Sequence, residues 1–136
     1  MTTLKVGIAS YEQMKARTMS IARGDLVPGV NDPKVWFTSL ESFAKVMSER
    51  NQELLKLIAK EQPKSLTELE ALSGRKKANL SRTLNRMAVY GLVELLRGER
   101  GRIAPRVKFD RLELDLPLLR NGMLKTGVPQ DTTIRP

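Results

Sequence analysis

The pattern of apolar and polar positions predicts five helices in the first 91 residues. Apolar side chains recur every three or four positions, which is the spacing of one face of a helix. The five stripes are Tyr11, Met14, Thr18 and Ile21; Leu40, Phe43, Ala44 and Met47; Leu54, Leu55, Leu57 and Ile58; Leu66, Leu69 and Leu72; and Leu80, Leu84 and Met87.

Start and stop signals separate these helices. Thr38 with Glu41, and Ser65 with Glu68, have the spacing of a capping box, in which a hydroxyl and a carboxylate satisfy the first free amides. Ser48 is placed to cap the third helix. The predicted ends are Gly24, Pro63, Ser73-Gly74 and Tyr90-Gly91, and residues 25–34 read as a linker.

Short apolar runs predict strands at residues 35–37, 92–96 and 103–107, and alternation predicts another at 112–116. Pro105 lacks an amide hydrogen and suits only an edge strand. The turn at 97–102 is basic and contains two glycines. Residues 1–10 are predicted to be a loose lead-in, and residues 117–136 a flexible tail.

The order helix, short turn, helix, strand and basic hairpin over residues 65–107 is that of a winged helix-turn-helix. The predicted fold is therefore mainly α with a small β-hairpin wing, an α+β arrangement with an N-terminal helical extension. We expect an extension at 1–47 that carries a helix and dimer contacts. A winged helix-turn-helix domain at 48–116 and the flexible C-terminal tail would follow.

The distribution of charge along the chain indicates what kind of partner the protein binds. The net charge is +9, with 24 basic and 15 acidic side chains. Residues 75–111 hold eleven basic and three acidic groups, a net +8 in 37 residues. Surfaces that serve only solubility mix the two signs, so this segment predicts a face that binds a polyanion.

Missing residue types argue against an enzyme. The chain has no Cys and no His, which excludes thiol nucleophiles, imidazole bases and the usual zinc ligands. Asp110, Glu113 and Asp115 could hold Mg²⁺, but the alternating leucines beside them favour a half-buried strand with a solvated face. No cofactor or metal is expected. No apolar run suits a membrane span or a signal peptide, so we expect a cytoplasmic protein without membrane contact.

The predicted fifth helix has the pattern of a recognition helix. With Leu80, Leu84 and Met87 facing inward, the outward residues suit base edges in the major groove, where Arg pairs with guanine and Asn with adenine. Basic groups at the helix start and in the hairpin suit phosphates or the minor groove. The predicted DNA-binding residues are Arg75, Lys76, Lys77, Ala78, Asn79, Ser81, Arg82, Asn85, Arg86, Arg97, Arg100 and Arg102.

Three runs of this segment resemble the MarR-type winged helix-turn-helix: Leu66-Thr67-Glu68-Leu69, Asn79-Leu80-Ser81-Arg82-Thr83-Leu84 and Tyr90-Gly91-Leu92-Val93-Glu94. Runs at 11–17, 35–42 and 112–118 extend the similarity to small prokaryotic MarR-like proteins that pair with a toxin of the TumE type. The resemblance implies an antitoxin of a type II pair that binds its toxin and represses its own operon. We expect a homodimer, because repressor dimers read two half-sites about one helical turn apart. Lys76 departs from the pattern, since relatives place Ser or Thr there, and so does Arg75, where MarR proteins have an apolar residue.

Two other functions stay open. A stand-alone MarR-like repressor could respond to a small ligand, although scarce aromatics make a ligand pocket less obvious. An RNA-binding protein would stack bases on exposed aromatic side chains, and the basic segment contains only Tyr90 and Phe109.

Overall fold

The computed structural model describes residues 2–119, which form a mixed α+β fold with five α-helices and two small sheets. The predicted tail from residue 120 onward lies outside these residues. In chain order, the elements are β1 (Thr3–Ile8), α1 (Tyr11–Ala22), β2 (Val35–Phe37), α2 (Leu40–Val46), α3 (Glu49–Glu61), α4 (Leu66–Ser73), α5 (Lys77–Val89), β3 (Val93–Arg97), β4 (Ile103–Val107) and β5 (Arg111–Asp115), with a 3₁₀ turn at Glu99–Gly101.

The helix starts are close to those predicted, with two corrections in the caps. α2 is capped by Ser39, not Thr38: the Ser39 hydroxyl accepts from the amide of Ser42 at 3.0 Å. Neighbouring hydroxyls compete for this role, and a spacing rule cannot choose between them. Ser65 caps α4 as predicted, but the Glu68 carboxylate accepts from the amide of Lys64 at 3.2 Å, so the box is only half formed.

A three-stranded parallel sheet is the largest departure from the predicted fold. β1 lies in its centre, paired with β2 on one side and β5 on the other. The prediction of a loose lead-in at residues 1–10 is therefore wrong. Leu4 and Val6 are buried, and with Ile8 they give the alternation that marks a strand. At Gly7, a Cβ would meet the Trp36 ring at 2.5 Å, so glycine is required where the indole covers β1.

The second sheet is the predicted hairpin. β3 and β4 pair in antiparallel register from Val93 opposite Val107 to Arg97 opposite Ile103. Pro105 lies in β4. Proline has no amide hydrogen and therefore suits an edge strand, and both strands of a two-stranded sheet are edge strands. α4 and α5 are joined through Gly74, whose φ of 75° is the left-handed cap conformation. The order α3, α4, α5 and hairpin is compatible with a winged helix.

One hydrophobic core joins the parallel sheet to the helices. It contains Leu4, Val6 and Phe37 from the sheet together with Ile58, Leu69 and Leu80 from α3, α4 and α5. The Phe37 ring stacks on Tyr90 at 3.9 Å between centroids and meets Phe43 edge-on at 5.2 Å. The N-terminal segment is therefore packed against the end of α5.

α1 differs from the other helices because none of its residues is buried. Tyr11 is 75% exposed, and Val27 and Val30 in the following loop are 81% and 89% exposed. The helix was predicted correctly at 11–23, but its apolar stripe remains open to solvent.

Candidate nucleic-acid interface

α5 has the two faces that the sequence predicted. Leu80, Leu84 and Met87 are at most 1% exposed and anchor the helix on the core. The side chains on the opposite side are exposed: Ala78, Arg82, Asn85 and Arg86. The core thus fixes which residues α5 presents to solvent, and two of these four are arginines.

The start of α5 is capped from the neighbouring helix. Its N-cap residue is Lys76, whose side chain makes no cap hydrogen bond. Instead, the Glu70 carboxylate of α4 accepts from the amide of Lys77 at 3.1 Å. This explains how the chain dispenses with Ser or Thr at position 76, because a carboxylate also suits the positive end of a helix dipole. Lys76 and Lys77 themselves are exposed.

Arg75 lies in the interior rather than on the predicted binding face, because it is only 8% exposed. Its guanidinium donates to Asn79 Oδ1 at 2.9 Å, Asn51 Oδ1 at 3.1 Å and Thr83 Oγ1 at 3.1 Å. Burial, followed by the nearby positive charge of Arg50, lowers the pKa of Arg75. No local pattern could have indicated Asn51 as a partner, since it lies 24 residues away. Arg75 therefore ties the start of α5 to α3.

Two polar residues of the predicted set are also engaged within α5. Asn79 is half-buried and accepts from Arg75. Asn85 Nδ2 donates to the backbone oxygen of Ser81 at 2.8 Å. Thr83 was not in the predicted set, yet it completes the Arg75 network.

The hairpin presents Arg97, Arg100 and Arg102, all of which are exposed. Arg100 has φ 59°, an uncommon conformation for a residue other than glycine, and Gly101 follows with φ 74°. The turn is closed by the Gly98 amide, which donates to the Arg102 oxygen at 2.8 Å. Arg106, by contrast, turns inward and donates to the Pro63 oxygen at 2.7 Å.

The positive charge of this surface is not neutralised within residues 2–119. The ion pairs found there join Lys5 and Arg111 to Glu113, Arg17 to Asp32, Arg23 to Asp25, and Lys56 to Glu53. None of them involves α5 or the hairpin. We refer below to the exposed basic residues Lys76, Lys77, Arg82, Arg86, Arg97, Arg100 and Arg102 as the basic face.

Two other kinds of site are absent from the part of the chain that the structure describes. Between residues 2 and 119, no three acidic side chains are grouped so that they could hold a metal ion. None of the helices described there is long and apolar enough to cross a membrane.

The family model HVO_A0114 matches residues 46–114, half of the chain, and the chain belongs to this family. A search of curated proteins finds none with significant similarity. The chain is also similar to the crystal structure of a predicted DNA-binding transcriptional regulator from E. coli. That match has a TM-score of 0.43 and 20% identity, and covers 74% of this chain and 86% of the other.

Proposed function

We propose that this protein is a sequence-specific, DNA-binding transcriptional regulator with a winged helix-turn-helix of the MarR type. The observation that carries the proposal is the basic face. Exposed arginines, which form no ion pair within residues 2–119, cover the outer side of a helix that is anchored by buried leucines, next to a basic hairpin. The major groove of DNA admits one α-helix, and the phosphates of the duplex carry negative charge that complements the positive charge of the basic face.

We assign the predicted contact residues to two groups by their positions on α5 and the hairpin. Arg82, Asn85 and Ala78 lie on the outward side of α5 and would reach base edges. The phosphate contacts would come from Lys76, Lys77, Ser81, Arg86, Arg97, Arg100 and Arg102. We leave Arg75 and the Oδ1 atom of Asn79 out of the contacts because each already has a partner inside the protein.

Replacing Arg82 by alanine should weaken binding to the operator by about 1–3 kcal/mol, the cost of losing a bidentate pair with guanine. Binding to random duplex should fall much less. The matched variant is Arg100→Ala with Arg102→Ala, which should weaken both DNAs alike because phosphate contacts carry little sequence information. Fluorescence anisotropy with an operator fragment and a scrambled duplex measures both effects. Equal losses on the two duplexes for Arg82→Ala would refute its role in reading bases.

We further propose that the protein acts as a homodimer through α1 and the loop that follows it. Exposed apolar side chains are concentrated there, among them Tyr11, Met19, Val27 and Val30. Two recognition helices in a dimer would read half-sites about one helical turn apart. Sedimentation at micromolar concentration tests this, and a monomer that binds a single half-site would contradict it.

The antitoxin role rests on the resemblance to partners of TumE-type toxins and on the separation of two surfaces. The basic face would bind DNA, and residues 11–47 or 112–136 would bind the toxin. Arg82→Ala should therefore lose repression and still co-purify with the product of the neighbouring gene. If the full-length protein captures no adjacent gene product, the regulator role remains and the antitoxin role fails.

A ligand-responsive repressor is the second candidate, and one cavity favours it. The cavity has a volume of about 480 Å³ and lies between α1 and the ends of the parallel strands, with Arg17 and Trp36 in its lining. Small-molecule sites commonly have this size. Because Trp36 is the single tryptophan, its fluorescence would report an occupant. Compounds that change this fluorescence without changing DNA affinity would argue against ligand control.

A further inference from the structure

One flank of α5 contains a small cavity that the basic face does not explain. It has a volume of about 180 Å³ and lies between α5 and the junction of α2 with α3. We call it the flank cavity. Its lining is Val46, Asn51, Asn79, Arg82, Thr83, Arg86 and Met87. The cavity is large enough for one phosphate group and a few waters, because a water takes about 30 Å³.

The Arg75 network determines which atoms the lining residues present. A guanidinium can only donate hydrogen bonds. Asn79 must therefore turn Oδ1 toward Arg75, which leaves both hydrogens of its Nδ2 for another acceptor. Thr83 Oγ1 accepts from Arg75 in the same way, so its own hydroxyl hydrogen is available to donate. One buried arginine thus makes two neutral side chains into donors.

The charged side chains that line the cavity also favour a ligand with acceptor oxygens. Arg82 and Arg86 are exposed, lie one helical turn apart and take part in none of the ion pairs found in residues 2–119. Among those same residues, no acidic side chain lines the cavity. A cavity whose polar lining consists largely of donors and positive charge suits an anion with several acceptor oxygens.

The position of the cavity on α5 favours a phosphate of the DNA backbone as this anion. Asn79 and Thr83 lie roughly 100° and 60° around α5 from the buried Leu80, on the same side as Arg86. When the outward face of a helix reads bases, its flank faces the wall of the groove, which is the phosphate backbone.

We propose that the flank cavity binds one backbone phosphate of the DNA duplex, with Arg86 as its main charged ligand and Asn79 and Thr83 as neutral donors. This inference rests on the proposed DNA binding. It gives the Arg75 network a role in binding, because the network orients the donors before DNA arrives. It also makes the flank contact independent of base sequence.

The test compares Arg86→Gln with Lys60→Gln, which removes the same charge from the exposed surface of α3. Arg86→Gln should weaken binding to operator and random duplex by the same factor. It should also reduce the slope of log K against log salt by about 1. Lys60→Gln should leave both quantities unchanged. Thermal melting checks that the variants stay folded.

Asn79→Asp is a sharper variant. It keeps an oxygen for Arg75 but replaces the amide donor with negative charge, so it should retain the fold and lose at least tenfold in affinity on every duplex. A duplex series with one neutral methylphosphonate at each position locates the contact. At one position of the duplex, the neutral methylphosphonate should weaken binding of the wild type and should leave the affinity of Arg86→Gln unchanged.

The failures of the two proposals are distinguishable. If the slope of log K against log salt is steep for the wild type and the same for Arg86→Gln, the flank contact is wrong and the DNA-binding proposal stays intact. A wild type that binds no duplex overturns both. If inorganic phosphate shifts the NMR signals of Asn79 and Thr83 while the slope is unchanged in Arg86→Gln, the cavity takes free phosphate and the backbone contact is wrong.

Discussion

Phe37→Ala should lower the free energy of unfolding by about 3–5 kcal/mol, the usual cost of removing a buried phenyl ring. Phe37, the last residue of β2, is 1% exposed, and its ring stacks on Tyr90, directly after α5. Removal of the ring should therefore destabilise α5 as well as the N-terminal sheet. The loss of the edge-on contact with Phe43 adds to the effect.

Urea denaturation measures this change, with Tyr11→Ala as the control because Tyr11 is 75% exposed. The control should stay within about 0.5 kcal/mol of the wild type. Trp36 fluorescence reports on the sheet and far-ultraviolet circular dichroism on the helices, so coincident transitions would show that both unfold together. Two separate transitions, or a Phe37→Ala variant as stable as the control, would contradict a shared core.

Arg75→Ala should cost about 3 kcal/mol of stability or more, since three acceptors in partly buried positions lose their donor at about 1–3 kcal/mol for each group left unsatisfied. Those acceptors belong to Asn51, Asn79 and Thr83. Arg75→Lys should restore little, because one ammonium cannot reproduce the forked geometry of a guanidinium. The same variants should also weaken DNA binding, because α5 loses its attachment to α3.

The matched control for Arg75 is Arg86→Ala, which removes an exposed arginine from the same helix. It should change stability by no more than about 0.5 kcal/mol. Chemical denaturation of both variants gives the comparison. If Arg75→Ala cost no more than Arg86→Ala, the network would contribute nothing to stability and Arg75 would be free to contact DNA.

α5 and the hairpin could be predicted because their signals are local. In α5, Leu80, Leu84 and Met87 fix the buried side, so the outward residues follow from the helical repeat. The hairpin follows from two apolar runs around a glycine-containing turn. Caps at Ser48 and Ser65 are equally local, since each hydroxyl bonds an amide three residues later.

What could not be predicted depends on contacts between distant segments. β1 pairs with β5 more than 100 residues away, and its own alternation covers only six residues. Arg75 was placed on the DNA-binding face because neighbouring lysines suggested it, whereas Asn51 on α3 draws its guanidinium inward. The carboxylate that caps α5 likewise comes from Glu70 in the preceding helix. Spacing rules carry no information about such partners.

The central claim is that the basic face binds the backbone of duplex DNA. The most direct test is an anisotropy titration of the full-length protein with duplex DNA at a series of salt concentrations. If the basic face neutralises about six phosphates, the plot of log K against log salt should have a slope of about −5. Affinity that does not change with salt would contradict the account.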